Sequence, residues 1–122
     1  MIRTRALLFS FTLLAAPAAN ECSPADKLPC DVEDVLVAKC QSCHSAQPTP
    51  PTPMPLMTYA DTQAPAPSNP GEQVWERIRV RIESSVNPMP PLHAQALTDS
   101  ERQVLRAWLS QGAQGSSVVC SP

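Results

Sequence analysis

Residues 38–45 read AKCQSCHS, and this short stretch decides how the rest of the chain is interpreted. Two thiols stand three residues apart, at Cys40 and Cys43, and an imidazole follows directly at His44. Three kinds of site share this spacing: a redox-active dithiol, half of a zinc site, and an attachment point for haem.

The zinc and dithiol interpretations each lack residues that they require. A structural zinc site has four ligands, but outside the motif the chain offers only His93 and three scattered cysteines, with no second paired spacing. A thioredoxin-like dithiol belongs to a βαβ unit, whereas the residues before Cys40 follow a helical period. A chance match in a structural loop is the third alternative to haem.

Haem attachment gives every chemical group of the motif a role. Thiols one helical turn apart add to the two vinyl groups of one porphyrin, and the histidine that follows reaches the iron. The sequence therefore predicts one covalently bound haem c, attached through Cys40 and Cys43, with His44 as a metal ligand.

Residues 1–18 are predicted to be a secretory signal peptide. Arg3 and Arg5 precede an apolar run over residues 6–15, and Ala16-Pro17-Ala18 has the form of an A-x-A cleavage site. The run is too short for a membrane span. A buried N-terminal helix is the alternative interpretation.

The mature chain is then expected to be one exported domain, residues 19–122, in the periplasm or another compartment that permits disulfides. A lipid anchor at Cys22 is disfavoured, because Glu21 stands where that processing needs a small residue. Loss of Arg3 and Arg5 leaves seven of the nine basic side chains against eleven acidic ones. This acidic balance argues against a nucleic-acid partner, and no transmembrane span is expected in the mature chain.

The remaining sequence predicts an all-α fold with three main helices and long Pro-rich loops. A first helix begins at Asp31 and leads into the cysteine motif, a second is expected over residues 71–85, and a third begins at the capping box of residues 98–101. Eight prolines make residues 48–70 an extended surface loop. The predicted apolar faces contain Val32, Val35 and Leu36, then Val74, Ile78 and Ile82, then Val104, Leu105, Trp108 and Leu109.

A second iron ligand is expected from Met89. It lies within residues 87–92, NPMPPL, where prolines hold a thioether at a fixed position with little loss of entropy. Loop packing is the alternative role for this methionine. Met54 also stands between prolines, but it follows His44 by only ten residues and is therefore expected on the His44 side. His93 would give bis-histidine ligation, and Met57 is the remaining candidate.

Together these features resemble a small class I c-type cytochrome. The resemblance rests on a helix that ends in Cys40-Gln-Ser-Cys43-His44, a proline-framed Met89 and a final amphipathic helix that carries Trp108, and it covers roughly residues 31–112. It implies first and last helices that pack together beside the haem, and a backbone carbonyl near Pro53 or Pro55 that accepts the Nδ1–H of His44.

The resemblance implies a periplasmic one-electron carrier that exchanges electrons with redox partner proteins and is not an enzyme. The alternative is a haem sensor or small haem enzyme with an open iron site that binds a gas or peroxide. The three cysteines outside the motif allow one disulfide, and both Cys30–Cys120 and Cys22–Cys120 are plausible pairings.

Overall fold

A computed structural model describes residues 25–121. The predicted signal peptide and Cys22 lie outside this range. In chain order the elements are helix α1 (Cys30–Lys39), helix α2 (Tyr59–Gln63), strand β1 (Pro65–Ala66), strand β2 (Asn69–Gln73), helix α3 (Val74–Glu83) and helix α4 (Asp99–Ser110).

The all-α prediction, with three main helices, is wrong for the described residues. They contain four helices and a small antiparallel sheet of two strands, so the fold is a mixed one. Pro65 pairs with Gln73 and Ala66 with Asn69. Proline excludes a helix, but it does not prevent pairing at the edge of a sheet, and a chain that is already extended can pair where it turns back.

Helix α2 and the hairpin replace part of the loop predicted over residues 48–70. Thr58 accepts a hydrogen bond from the backbone of Asp61, whose carboxylate accepts one from the backbone of Thr58. This reciprocal capping starts a helix of five residues between prolines. The hairpin also delays α3, which begins at Val74 instead of near Gly71.

Helix α4 confirms the predicted start and end of the last helix. The side chain of Thr98 accepts from the Glu101 amide at 3.2 Å, and the Glu101 carboxylate accepts from the Thr98 amide at 2.7 Å. Gly112 ends the helix with φ of +77°, a conformation that a residue without a Cβ adopts at little cost.

The core lies between α1, α3 and α4, and α4 contacts both α1 and α3. Helix α1 packs against α4, as the resemblance implied. Buried members of the predicted apolar faces are Val32, Val35, Leu36, Val74, Ile78, Ile82, Leu105, Trp108 and Leu109.

The two ends of the described chain are joined. Cys30 forms a disulfide with Cys120 across 90 residues of sequence, which selects one of the two predicted pairings. Nearby, Lys27 and Ser116 form a short antiparallel bridge. Gly115 is required there, because a Cβ at this position would lie 2.0 Å from the Ala25 carbonyl oxygen. Between residues 25 and 121, none of the helices has the length and apolar character needed to cross a membrane.

Candidate cofactor site

The cysteine motif continues α1 by one more turn. The amides of Cys40 and Gln41 both donate to the Leu36 carbonyl at 2.9 Å, and the amides of Cys43 and His44 donate to the Cys40 carbonyl at 3.1 and 2.9 Å. Both thiols of the motif are free. This turn therefore brings the two predicted attachment residues and the predicted iron ligand together.

The ring of His44 is buried, with an exposed fraction of 7%, and its orientation is fixed by one hydrogen bond. Nδ1 lies 2.9 Å from the carbonyl oxygen of Met54. Because a carbonyl can only accept, Nδ1 must carry a proton, so in the neutral ring the lone pair is on Nε2. Within residues 25–121 no hydrogen bond reaches Nε2, so this nitrogen is available as a metal ligand.

Residues 54–56 hold the motif from one side. The Leu56 amide donates to the His44 carbonyl at 2.9 Å, and Nε2 of Gln41 donates to the Leu56 carbonyl at 3.0 Å. The predicted carbonyl near Pro53 or Pro55 is thus that of Met54, which lies between them. Sequence reasoning gave Gln41 no role, because no pattern reveals a side chain that bonds to a backbone group fifteen residues away.

The two thiols have different surroundings. Cys40 packs against the core, and this burial raises its pKa to about 11, with smaller contributions from Cys43 and Glu101. Cys43 is exposed. The raised pKa shows that the surroundings of Cys40 favour the neutral forms of sulfur, a thiol or a thioether. A catalytic dithiol instead needs a thiol whose pKa is lowered.

Met89 lies on a separate loop, residues 84–98, between α3 and α4. Its amide donates to the Arg81 carbonyl at 3.0 Å, and its side chain is half-buried. Two large apolar side chains that flank it are almost fully exposed: Val86 at 92% and Leu92 at 89%. The loop therefore presents apolar surface on both sides of the predicted ligand.

The other candidate ligands lie in different surroundings. Met54 is half-buried against the core, and its own carbonyl binds Nδ1 of His44, away from Nε2. Met57 is 39% exposed, and His93 is exposed.

One arginine beside the Met89 loop has a buried nitrogen without a partner. Arg81 donates through Nη2 to Asn87 at 3.0 Å, while its Nε is buried and makes no hydrogen bond within the described chain. Arg77 instead pairs with Glu72 at 3.3 Å, and Arg79 lies 6.0 Å from the Trp75 ring centre. Within residues 25–121, Arg81 is thus the arginine of α3 with a buried donor that lacks a partner.

Two cavities lie elsewhere on the surface. One of about 500 Å³ is lined by residues that include Val32, Trp108 and Gln111, and another of about 330 Å³ by residues that include Met57 and Val119. Neither is lined by the cysteine motif. In the described part of the chain, no three His, Cys, Asp or Glu side chains are grouped so that they could hold a metal ion.

Comparison with family models, with curated proteins and with solved structures found no match for this chain.

Proposed function

We propose that the protein is an exported c-type haem protein that carries single electrons between redox partner proteins. Cys40 and Cys43 would hold the haem covalently, His44 would bind the iron through Nε2, and Met89 would supply the second axial ligand. The observation that carries the proposal is the hydrogen bond from His44 Nδ1 to the Met54 carbonyl, made in the same turn that holds two free thiols.

The residues present fit such a group in three ways. The surroundings of Cys40 favour neutral sulfur, and a thioether is neutral. The exposed Val86 and Leu92 offer apolar surface to a porphyrin ring. Covering that surface with the ring would be favourable. The unpartnered Nε of Arg81 is a donor suited to a carboxylate such as a haem propionate.

When bound, the haem supplies one-electron Fe(III)/Fe(II) chemistry. The Met54 carbonyl fixes the tautomer and the plane of the His44 ring, so the ring does not have to reorient when the metal charge changes. Gln41 and Leu56 keep the turn attached to the neighbouring segment. Prolines on both sides of Met89 restrict its backbone, which limits the entropy lost when the thioether is held in place.

A haem sensor or small haem enzyme with an open iron site is the second candidate function. It is favoured by one feature of the described chain: no hydrogen bond joins residues 40–45 to the loop segment 86–92 that carries Met89. If the thioether does not bind, His44 alone would ligate the iron, and an external ligand could take the other position.

The test is a pair of visible spectra of the full chain, expressed in a host that matures c-type haem. An electron carrier with His44 and Met89 ligation should show sharp low-spin bands when reduced, a weak far-red Met–iron band when oxidised, and no change on adding carbon monoxide to the reduced protein.

Two other outcomes separate the alternatives. A high-spin ferric spectrum that shifts when carbon monoxide is added after reduction would favour the open-site function. Absence of any haem absorption after maturation would contradict both functions and leave the zinc or dithiol interpretations.

A further inference from the structure

Lys39 is a half-buried lysine whose covered side chain neither the cysteine motif nor the proposed ligands account for. Its side chain is only 4% exposed, although lysine is seldom buried without a partner. Nζ lies 3.5 Å from Oε2 of Glu101 and donates to the Ala96 carbonyl at 3.3 Å. Removing an ammonium group from water is costly, so these two partners explain why the side chain stays in this position.

The two partners belong to the segment that follows Met89. Ala96 lies in the loop of residues 84–98, and Glu101 is in the first turn of α4, where its carboxylate also accepts from the Thr98 amide. Lys39 itself directly precedes Cys40. Lys39 therefore lies between the cysteine motif and the loop that carries Met89.

The rest of the loop is held from α3. The Met89 amide donates to the Arg81 carbonyl, and Nη2 of Arg81 donates to Asn87 at 3.0 Å, while the guanidinium of Arg102 joins α4 to α3 through the Ile82 carbonyl. Within residues 25–121, the hydrogen bond from Lys39 to Ala96 is the only one that joins residues 30–45 to residues 84–98. Without Lys39, both this bond and the ion pair with Glu101 are lost, and packing alone would fix the distance between the two segments.

The geometry points to Lys39 as a positioning residue that sets how firmly Met89 is held at the metal. This inference rests on the proposed function. By fixing the C-terminal part of the Met89 loop against the end of α1, Lys39 limits the positions that the thioether can take relative to Nε2 of His44. A residue with this role controls how readily an external ligand displaces the thioether.

The test measures imidazole binding to the oxidised, haem-loaded full chain by visible titration. Lys39→Met removes the charge and the donor but keeps an unbranched chain. Lys27→Met is the matched control, because the Lys27 side chain is exposed and, among residues 25–121, pairs only with Asp26, yet the change in net charge is the same. We expect imidazole to bind at least about tenfold more tightly to Lys39→Met, the size of effect that a hydrogen bond from a charged donor produces, and equally to Lys27→Met and the original protein.

Equal imidazole affinity in Lys39→Met and the original protein would overturn the inference, as would an equal rise in both variants, which would reflect charge alone. If Lys39→Met does not accumulate, Lys39→Gln is used, which removes the charge and shortens the side chain, with a smaller increase expected; unchanged affinity there also overturns the inference. A missing Met–iron band in the original protein contradicts the Met89 assignment first, and the inference with it, so the two failures are distinguishable before any variant is made.

Discussion

The two segments that would supply the axial ligands are constructed in different ways. Residues 40–45 continue a helix and are bonded to residues 54–56 through both backbone and side chains. The Met89 segment has prolines on both sides, hydrogen bonds that join the Met89 amide and the Asn87 side chain to Arg81, and two exposed apolar side chains. The first segment has its geometry before any ligand arrives, whereas the second keeps apolar surface whose burial a ligand would make favourable.

The largest expected effect follows from removing both thiols of the motif. Cys40→Ala combined with Cys43→Ala should abolish covalent haem attachment, because the motif then offers no thiol to the vinyl groups. The measurement is haem absorption that persists in the denatured protein. Retention of covalent haem by this double variant would show that the attachment lies elsewhere.

Met89→Ala tests the second segment in isolation. Covalent haem should be retained, while the far-red Met–iron band disappears and the reduced protein becomes able to bind carbon monoxide. Met57→Ala is the matched control, because Met57 is partly exposed and is expected to leave both properties unchanged. If the band survives in Met89→Ala but not in Met57→Ala, the ligand is Met57.

The disulfide is expected to affect stability without affecting the site. Cys30→Ala combined with Cys120→Ala also removes two sulfurs, yet haem attachment should persist. Loop-closure entropy over a separation of 90 residues predicts a loss of about 4–5 kcal/mol in the free energy of unfolding. Denaturant unfolding of the haem-loaded protein measures this loss, and a loss below about 1 kcal/mol would mean that the unfolded chain is already constrained.

The raised pKa of Cys40 predicts a pH effect on the apoprotein alone. The folded chain holds this proton up to a pH of about 11, whereas an ordinary thiol releases it near pH 9. The folded state thus binds more protons between these values, so its stability should fall by about 2–3 kcal/mol as the pH rises through this range.

Urea unfolding between pH 9 and about 11 should show this fall in stability in the apoprotein. The fall should be absent in the Cys40→Ala apoprotein and in the haem-loaded protein, where a thioether cannot titrate. A fall of equal size in Cys40→Ala would assign the effect to another group.

The smallest expected effect concerns one of the hydrogen bonds that join residues 40–45 to residues 54–56. Gln41→Ala removes the hydrogen bond to the Leu56 carbonyl and should lower the free energy of unfolding by about 1 kcal/mol. Gln47→Ala is the control, because its exposed side chain makes no hydrogen bond within the described residues. Equal stability of the two variants would mean that Gln41 does not secure the turn.

Local signals predicted the helices well where they were complete. The capping box at Thr98 and Glu101, the helix end at Gly112 and the three apolar faces could all be identified, because each depends on residues a few positions apart. Thr58 and Asp61 carry a similar capping signal, but the surrounding prolines predict a loop throughout, so helix α2 was missed.

Contacts between residues far apart in the sequence were harder to predict. The pairing of Pro65 with Gln73 depends on how the chain turns between them, and proline content alone argued against any regular structure there. Lys39 and Gln41 form bonds to backbone carbonyls, which are present at every residue and therefore leave no pattern in the sequence. The choice between Cys30 and Cys22 as the partner of Cys120 likewise needed the fold.

Haem attachment to the cysteine motif is tested most directly by the mass of the protein recovered after maturation, followed by mapping of its peptides. We expect one haem per chain, bound to the peptide that contains Cys40 and Cys43, with the Cys30–Cys120 disulfide intact. Recovery of that peptide with no haem, whether its thiols are free or joined to each other, would contradict haem attachment to the motif.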